Sequence, residues 1–255
     1  MSSDSLPEIF ERVRLRTPAR LFAGRSGGAY RTAMQLELRA AHAAARDAVR
    51  SDFNLEERLG ARLIQDFSIF EVGSSAHSKD EYLLRPDLGR RLTEQSRQII
   101  ASNCSSAPDL QIIIGDGLST TAVAAQVPQL LPLLSQGAKQ RNWALGRPFA
   151  VRFCRVGVLN DVGDLLTPKV AVLLIGERPG LATAESLSAY MAFQPRSEHT
   201  DADRNLISNI HARGVSIGDA ANRILKLASQ MMFKKISGTQ IREELPSGIL
   251  DQLRS

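Results

Sequence analysis

The sequence predicts an α/β protein with a Rossmann-like, mostly parallel sheet flanked by helices, and with an N-terminal helical extension. Two observations lead to this prediction. Apolar runs at residues 110–114, 149–156 and 170–175 have the length of buried strands, and segments with helical periodicity separate them. Because strands that pair in parallel need a connection of that length, the alternation indicates a parallel sheet.

The N-terminal part of the chain, residues 1–65, is predicted to form an arm and helices that precede a Rossmann-like domain at residues 66–255. Residues 1–31 are rich in arginine and contain little regular pattern, apart from a short apolar stripe within residues 9–15. Two interpretations of this segment are open. It is either a flexible tail or an arm that docks on a partner chain.

Helices are predicted after the arm. Thr32 and Gln35 have the spacing of a capping box, and alanine and leucine continue the helical pattern through Ala48. Asn54 begins the next helix, because an asparagine with Glu57 three residues later is typical of a helix start.

The remaining elements follow from turn residues and from the period of the apolar positions. The expected elements are strands at 69–72 and 187–193, a helix from Pro86, a helix from Ser119 or Thr120 to about residue 134, and helices at 203–212 and 219–235.

Composition and charge argue against several classes of function. The 32 basic and 27 acidic residues give a net charge of +5, and the arginines are scattered among acids instead of grouped with aromatic residues. A nucleic-acid-binding surface needs such grouping. Cys104 and Cys154 lack partners at metal-ligand spacing, so we expect reduced thiols in a cytoplasmic protein. No signal peptide or membrane-spanning segment is predicted.

The strand at 170–175 indicates a candidate site, because Gly176, Glu177 and Arg178 follow it directly. Ligands of open α/β sheets bind at the carboxyl ends of the strands. Glu177 and Arg178 therefore stand where a ligand is expected. The alternative is a solvated ion pair in a strand-to-helix turn, and the pattern leaves both open.

A second candidate is the turn Gly-Asp-Gly-Leu-Ser at residues 115–119, between a predicted strand and a helix. It resembles the Gly-Asp-Ser-Leu-Ser motif of a hydrolase family, but Gly117 stands where that family has its nucleophile, so covalent catalysis is not expected. Asp116, Gly117 and Ser119 either contact a ligand at the helix N-terminus or only cap the helix.

A third candidate is His211, in the segment Asn-Ile-His-Ala-Arg-Gly at residues 209–214. It is similar to the Asp-x-His-x-x-Gly pattern with which some cobalamin proteins ligate cobalt. Asn209 replaces the aspartate that would orient the imidazole, and no strand is predicted before it. We therefore expect His211 to lie near a helix C-terminus and not to bind metal.

Eight motifs occur in an order that is specific, although each is short. Together they resemble the small subunit, or light chain, of ethanolamine ammonia-lyase, and they extend from about residue 17 to residue 238. The motifs are Thr-Pro-Ala-Arg-Leu at 17–21, Gly-Arg-Ser-Gly-Gly at 24–28, His-Ala at 42–43 with Arg-Asp-Ala-Val at 46–49, Arg-Pro-Asp-Leu-Gly-Arg at 85–90, Asp-Gly-Leu-Ser at 116–119, Leu-Ile-Gly-Glu-Arg-Pro-Gly at 174–180, Glu-Ser-Leu-Ser at 185–188 and Ser-Asn-Ile-His at 208–211.

The resemblance implies an activity that two chains share. The family enzyme is a carbon–nitrogen lyase that uses adenosylcobalamin to convert ethanolamine into acetaldehyde and ammonia. A large subunit binds ethanolamine and carries the catalytic groups, the cobalamin lies between the two chains, and the assembly is a hexamer of large–small pairs. The cofactor keeps its own base on cobalt, which agrees with the expectation for His211.

Three positions carry over from the family as cobalamin contacts, and no catalytic residue is expected in this chain. They are Val156 at the end of the strand at 149–156, Glu177, and Leu206. Family members can have cysteine at the position of Leu206. An apolar contact to the corrin survives that change, whereas a thiol hydrogen bond does not.

One alternative function belongs to a different class, a stand-alone corrinoid-binding carrier or chaperone. Co-purification with a large partner separates the two hypotheses. We expect the protein in the cytoplasm. Some family members are packaged in a bacterial microcompartment, so the first residues of the chain are also a candidate packaging signal.

Overall fold

The computed structural model describes residues 8–15, 20–21, 24–180 and 182–243. Its core is a six-stranded sheet with helices on both faces, and a short hairpin of β1 and β2 precedes it. The strands are β1 Arg25–Ser26, β2 Ala29–Tyr30, β3 Phe70–Gly73, β4 Leu110–Gly115, β5 Phe149–Arg152, β6 Val170–Gly176, β7 Leu187–Phe193 and β8 Asn205–Ile210. The helices are α1 Glu8–Leu15, α2 Thr32–Arg50, α3 Leu55–Leu59, α4 Ala61–Phe67, α5 Lys79–Leu84, α6 Glu94–Asn103, α7 Thr120–Gln140, α8 Val158–Leu166 and α9 Ile217–Lys234.

The strand order is β3-β5-β4-β6-β7-β8, and the sheet is mixed. β3 to β6 pair in parallel, whereas β7 and β8 add in antiparallel fashion. The antiparallel addition follows from the connection at residues 177–186, which contains no helix in its described part. A parallel neighbour would need a crossover of about a dozen residues or more. The predicted α/β class, with a sheet flanked by helices, is confirmed.

Two apolar layers enclose the sheet. α7 and α9 cover one face, where the buried residues of β4, β6 and β7 alternate inward; this layer also contains Phe53 and Leu59 from the N-terminal part of the chain. α6 and α8 cover the other face over β4, β5 and β6. That second layer contains no described residue of β8, and Tyr190 on β7 is only partly buried.

The division of the chain into an N-terminal arm with helices at residues 1–65 and a Rossmann-like domain at residues 66–255 stays a prediction.

The predicted helix at 203–212 is wrong, because residues Asn205–Ile210 form the edge strand β8. A bulge explains the error. Leu187 and Ala189 on β7 are two residues apart, but they face Ile210 and Ile207, which are three apart. The extra residue turns both isoleucines toward the core, and a spacing of three is also the spacing of a helical face.

Other boundaries differ in ways that bear on the site. β5 ends at Arg152 instead of continuing to Val156, and residues 153–157 form a loop that enters α8. The capping box at Thr32 is wrong, since Thr32 is the first helical residue and Arg31 precedes it without a side-chain cap. The start at Asn54 is confirmed, because its side chain accepts a hydrogen bond from the Glu57 N–H at 3.0 Å.

The helix predicted from Pro86 is a short 3₁₀ turn, Leu88–Arg90, followed by α6 with Thr93 as its cap. The helix after the turn at 115–119 continues to Gln140, beyond the predicted end. Among the described residues, no helix is long and apolar enough to cross a membrane.

Candidate functional site

The carboxyl ends of β4, β5 and β6 meet at one edge of the sheet, and Asp116 fixes the loop that follows β5. Its carboxylate is 1% exposed and accepts the backbone N–H groups of Phe153 and Cys154, each at 2.8 Å. Burial raises the pKa of the Asp116 carboxyl, although Lys79 and the two N–H groups act in the opposite direction. Asp116 therefore organises the loop at 153–157 and does not point its oxygens at a ligand.

Gly117 and Ser119 also have structural roles in this turn. Gly117 has a φ of +59°, and a Cβ there would lie 2.2 Å from the carbonyl oxygen of Gly176. Ser119 accepts a hydrogen bond from the Ala122 N–H at 3.2 Å, which caps α7, and donates one to the Ala184 carbonyl at 2.5 Å. Ser119 therefore caps α7, whereas Gly117 also lines a cavity together with Glu177, so a ligand contact at Gly117 stays a prediction.

Glu177 follows β6 directly, and its carboxylate is held by two serines. Ser186 donates to Oε2 at 2.9 Å and Ser188 donates to Oε1, while the Glu177 N–H bonds the Ser186 carbonyl at 3.0 Å. No ion pair with Arg178, or with any other described residue, involves Glu177. A carboxylate has about four acceptor sites, so the oriented group can accept further hydrogen bonds.

A cavity of about 330 Å³ brings Glu177 and Val156 together. Val156 reaches it from the loop that Asp116 holds, and Tyr190 contributes from β7. Burial, followed by the charge of nearby Glu177, raises the pKa of the Tyr190 hydroxyl, so it stays protonated at neutral pH. The cavity thus combines an oriented acceptor, an apolar side chain and a phenol.

Leu206 lies outside this cavity but beside one of its walls. On β8, Leu206 pairs with Tyr190 of β7. It lies on the face of the sheet that α6 and α8 cover elsewhere, but it is not part of that apolar layer. Its side chain is 47% exposed. The three predicted positions are therefore brought to one region, with Tyr190 between Leu206 and the pair formed by Glu177 and Val156.

Tyr190, Arg155 and Arg204 line this region or the cavity next to it, and the sequence interpretation did not select them. Arg155 could have been selected from the sequence, because it precedes Val156 at the end of the predicted strand at 149–156. Tyr190 shows only as an outward position in an alternating strand. Arg204 gave no signal, since it was assigned to a helix that does not exist.

The expected place of His211 near a helix C-terminus is wrong, because β8 ends at Ile210 and His211 follows this strand directly. Its side chain is nevertheless used within the fold. It is 6% exposed, and its Nδ1 accepts a hydrogen bond from the Arg213 N–H at 3.3 Å. A Cβ at Gly214 would lie 2.8 Å from Nε2. This close packing gives His211 a structural role in the turn after β8.

Comparisons with known proteins give one consistent result. The family model for the ethanolamine ammonia-lyase light chain matches residues 7–242. The chain is 41% identical to the ethanolamine ammonia-lyase small subunit of Clostridium perfringens over 92% of this chain and 78% of the relative. It is 38% identical to that of Clostridium acetobutylicum over 94% of this chain and 96% of the relative. It is 41% identical to the small subunit of Fusobacterium nucleatum over 92% of this chain and 78% of the relative.

Proposed function

Because the chain belongs to the ethanolamine ammonia-lyase light-chain family, and so is a subunit of a carbon–nitrogen lyase, we propose that it holds adenosylcobalamin against the large subunit. The observation that carries this proposal is the convergence of Val156, Glu177 and Leu206 around Tyr190. A corrinoid needs a broad surface with hydrogen-bond acceptors at its edge, and this region offers both.

The residues present fit the chemistry of a corrinoid. The ring carries amide side chains, and the Glu177 carboxylate is already oriented by Ser186 and Ser188 to accept amide N–H groups. The exposed side chain of Leu206 would lose contact with water when a ring covers it. In addition, Arg155 lines this cavity and forms no ion pair with any described residue, so its guanidinium group has donors that a ligand can use.

In this proposal the chain binds and positions, and the chemistry belongs to the complex. When bound, adenosylcobalamin supplies radical chemistry for the conversion of ethanolamine into acetaldehyde and ammonia. Glu177 accepts hydrogen bonds from the ring edge, and Val156 and Leu206 exclude water from its faces. None of the three donates a proton or acts as a nucleophile. Ethanolamine and the catalytic groups are on the large subunit.

Assembly with the large subunit, as a hexamer of large–small pairs, is part of the proposal. α1 supports it, because this helix contains no buried residue, and Ile9 and Leu15 are 60% and 81% exposed. Ile9 and Val13 are four residues apart and so lie on one side of the helix, both exposed, and neighbouring exposed apolar side chains are the kind of surface that a partner chain covers. We propose that α1 docks on the large subunit. Co-purification that survives deletion of residues 8–15 would contradict this role.

Packaging in a microcompartment is a separate part of the proposal and concerns the first 14 residues, of which 1–7 lie outside the described part. A chain that lacks residues 1–14 should fail to co-sediment with compartment shells, and a chain that lacks only residues 1–7 keeps α1 and should still assemble. Unchanged co-sedimentation would remove this idea.

The experiment that tests the function is reconstitution with the large subunit and adenosylcobalamin, followed by an assay for acetaldehyde. Glu177→Ala should weaken cofactor binding by about tenfold or more, because charge-assisted hydrogen bonds are worth ~1.5–3 kcal/mol, and should slow turnover little at saturating cofactor.

The matched control is Glu185→Ala, which removes the same charge from an exposed position outside the cavity. Normal cofactor affinity in Glu177→Ala, or an equal loss in both variants, would contradict the proposed site. The carrier hypothesis predicts tight corrinoid binding by the chain alone, without association with the large subunit.

A further inference from the structure

The loop at 153–157, which brings Arg155 and Val156 to the cavity of about 330 Å³, has a strained backbone. Phe153 has a φ of +55°, in the left-handed region that a bulky side chain rarely adopts. Such a conformation costs free energy and persists only where the surrounding structure fixes it. The contacts that fix this loop therefore decide where Arg155 and Val156 lie.

Backbone polar groups of this loop form hydrogen bonds with residues from other parts of the fold. The pairs are the Phe153 and Cys154 N–H groups with the Asp116 carboxylate, the Phe153 carbonyl with the Ser74 hydroxyl at 2.8 Å, the Arg155 N–H with the Gly89 carbonyl at 2.7 Å, and the Cys154 carbonyl with the Tyr82 hydroxyl at 3.0 Å. The last pair joins residues that are 72 positions apart in the sequence. Tyr82, on α5, thus holds the residue that precedes Arg155.

Tyr82 also holds the side chain of Arg155. The guanidinium carbon of Arg155 lies 4.3 Å from the centre of the Tyr82 ring, and Nη2 of Arg155 donates to the Tyr82 carbonyl at 3.4 Å. A guanidinium group over an aromatic ring is attracted by the negative face of the ring. The backbone before Arg155 and the side chain of Arg155 are therefore both fixed by one tyrosine.

Tyr82 itself offers no surface to a ligand. It belongs to the residues around the cavity, but it is fully buried. Burial, followed by the charge of Asp116, raises the pKa of the Tyr82 hydroxyl, so the group stays protonated and remains a donor to the Cys154 carbonyl. Tyr82 can therefore act on a ligand only through the residues that it holds.

We infer that Tyr82 is a positioning residue of the proposed cobalamin site, and that it places Arg155 and Val156 at the cavity wall without touching the cofactor. The inference rests on the proposed function, since the placement of these two residues matters only if the cavity takes the corrinoid. A loop that is held before the ligand binds loses less conformational freedom on binding, so the affinity is higher.

The test uses the complex with the large subunit. Acetaldehyde formation over a range of adenosylcobalamin concentrations gives the cofactor KM and kcat separately, and equilibrium dialysis gives the affinity. Tyr82→Phe keeps the ring beside Arg155 and removes the hydroxyl, whereas Tyr82→Leu removes both. The matched control is Tyr30→Phe, which deletes the same hydroxyl from an exposed tyrosine on β2, outside the cavity.

Tyr82→Phe should weaken adenosylcobalamin binding by about fivefold, the change that corresponds to the loss of one hydrogen bond, and Tyr82→Leu should weaken it further. In both variants kcat at saturating cofactor should change by less than about twofold. Tyr30→Phe should behave as the unaltered complex does. Normal affinity in Tyr82→Phe, or a loss of kcat with normal affinity, would overturn the inference.

A role in folding alone is separated by a variant from the other side of the sheet. Ile224→Val shortens a fully buried side chain of α9 in the α7–α9 layer, so it lowers stability without altering the loop at 153–157. Urea denaturation compares its stability with that of Tyr82→Phe. Its cofactor affinity should be normal, and a loss equal to that of Tyr82→Phe would overturn the inference.

A double-mutant cycle with Arg155→Gln tests whether Tyr82 acts through Arg155. Tyr82→Leu should weaken binding by a smaller factor in the Arg155→Gln complex than in the unaltered one, because the side chain that the ring holds is already changed. Equal factors in the two backgrounds would overturn the inference. If Tyr82→Leu does not assemble, the same cycle is measured with Tyr82→Phe.

Glu177→Ala distinguishes a failure of this inference from a failure of the proposed function. If Glu177→Ala weakens cofactor binding and Tyr82→Phe does not, the inference is overturned and the proposed function stands. If Glu177→Ala binds the cofactor normally, the proposed site is contradicted, and the role of Tyr82 is overturned with it.

Discussion

The parallel and antiparallel parts of the sheet differ in how many of their faces are covered. β3 to β6 lie between two helical layers, and every residue of β4 and β6 is buried. β7 and β8 have the α7–α9 layer on one face; on the other face Ser188 and Ala192 of β7 are still buried, whereas Tyr190 and Leu206 stay accessible. The difference follows from pairing, because parallel strands bring their crossover helices with them and antiparallel strands do not.

This contrast separates stability from binding. Side chains between two helical layers stabilise the fold by apolar burial. Shortening one of them leaves a cavity and lowers the free energy of unfolding. Side chains on an open face contribute little to folding and are available for a ligand. The predicted cobalamin contacts lie where the two parts meet, since Glu177 ends β6 and Leu206 belongs to β8.

The largest effect is expected in the covered part. Ile113 on β4 is fully buried against the α6–α8 layer. Ile113→Ala should lower the free energy of unfolding by ~2–5 kcal/mol, the range for deletion of a large core side chain. Urea denaturation of the full chain measures this. A loss below ~1 kcal/mol would mean that this layer does not limit stability.

A pH-dependent effect is expected at the edge where β4 ends. The folded protein raises the pKa of Asp116 above its ordinary 3.8, chiefly through burial. The folded state therefore binds the proton more tightly than the unfolded state does. The contribution of this group to stability is full below pH 3.8 and is lost as the pH rises through the folded pKa.

Asp116→Asn removes that titration. The difference in free energy of unfolding between the unaltered protein and the variant should decrease as pH rises above 3.8. Denaturant titrations at several pH values provide the test, with Asp80→Asn, an exposed aspartate on α5, as the control. A difference that stays constant or grows over that range would contradict the predicted direction.

The smallest effect on folding is expected on the open face. Leu206→Ala should change the free energy of unfolding by less than ~1 kcal/mol, because Leu206 is 47% exposed. The same change should weaken cobalamin binding by about tenfold, the loss expected when ~1.5 kcal/mol of apolar burial is removed. The cobalamin affinity of Leu206→Cys should lie between that of the unaltered protein and that of Leu206→Ala. A large stability loss without a binding loss would remove the distinction between the two parts of the sheet.

Much of the fold could be predicted from local pattern. The apolar runs of β4 and β6, and the strand β7, were identified in place, since a buried strand is continuous in sequence. β8 could not be identified, because its bulge gave Ile207 and Ile210 the spacing of a helix. The early end of β5 was missed for a related reason, as Val156 continues the apolar run without pairing.

The candidate site was predicted only in part. The end of a buried strand pointed to Glu177, and the family resemblance pointed to Glu177, Val156 and Leu206; the structure brings the three to one region. The neighbouring cavity of about 710 Å³, whose walls include Arg90, Arg91, Arg155 and Arg204, was not predicted. Its arginines lie in segments far apart in sequence, and no local period connects them.

The sequence by itself determined the α/β alternation, the buried strand before Glu177 and the family to which the chain belongs, since each depends on neighbouring residues or on ordered motifs. Only the tertiary structure decided which polar groups are used internally and which are free. Asp116 and Glu177 both follow apolar strands. The Asp116 carboxylate is buried and accepts two N–H groups of the loop after β5, whereas two serines hold the Glu177 carboxylate at a cavity wall. The physical reason is that hydrogen-bond partners are set by which strands and loops become neighbours, and residues distant in the sequence supply them.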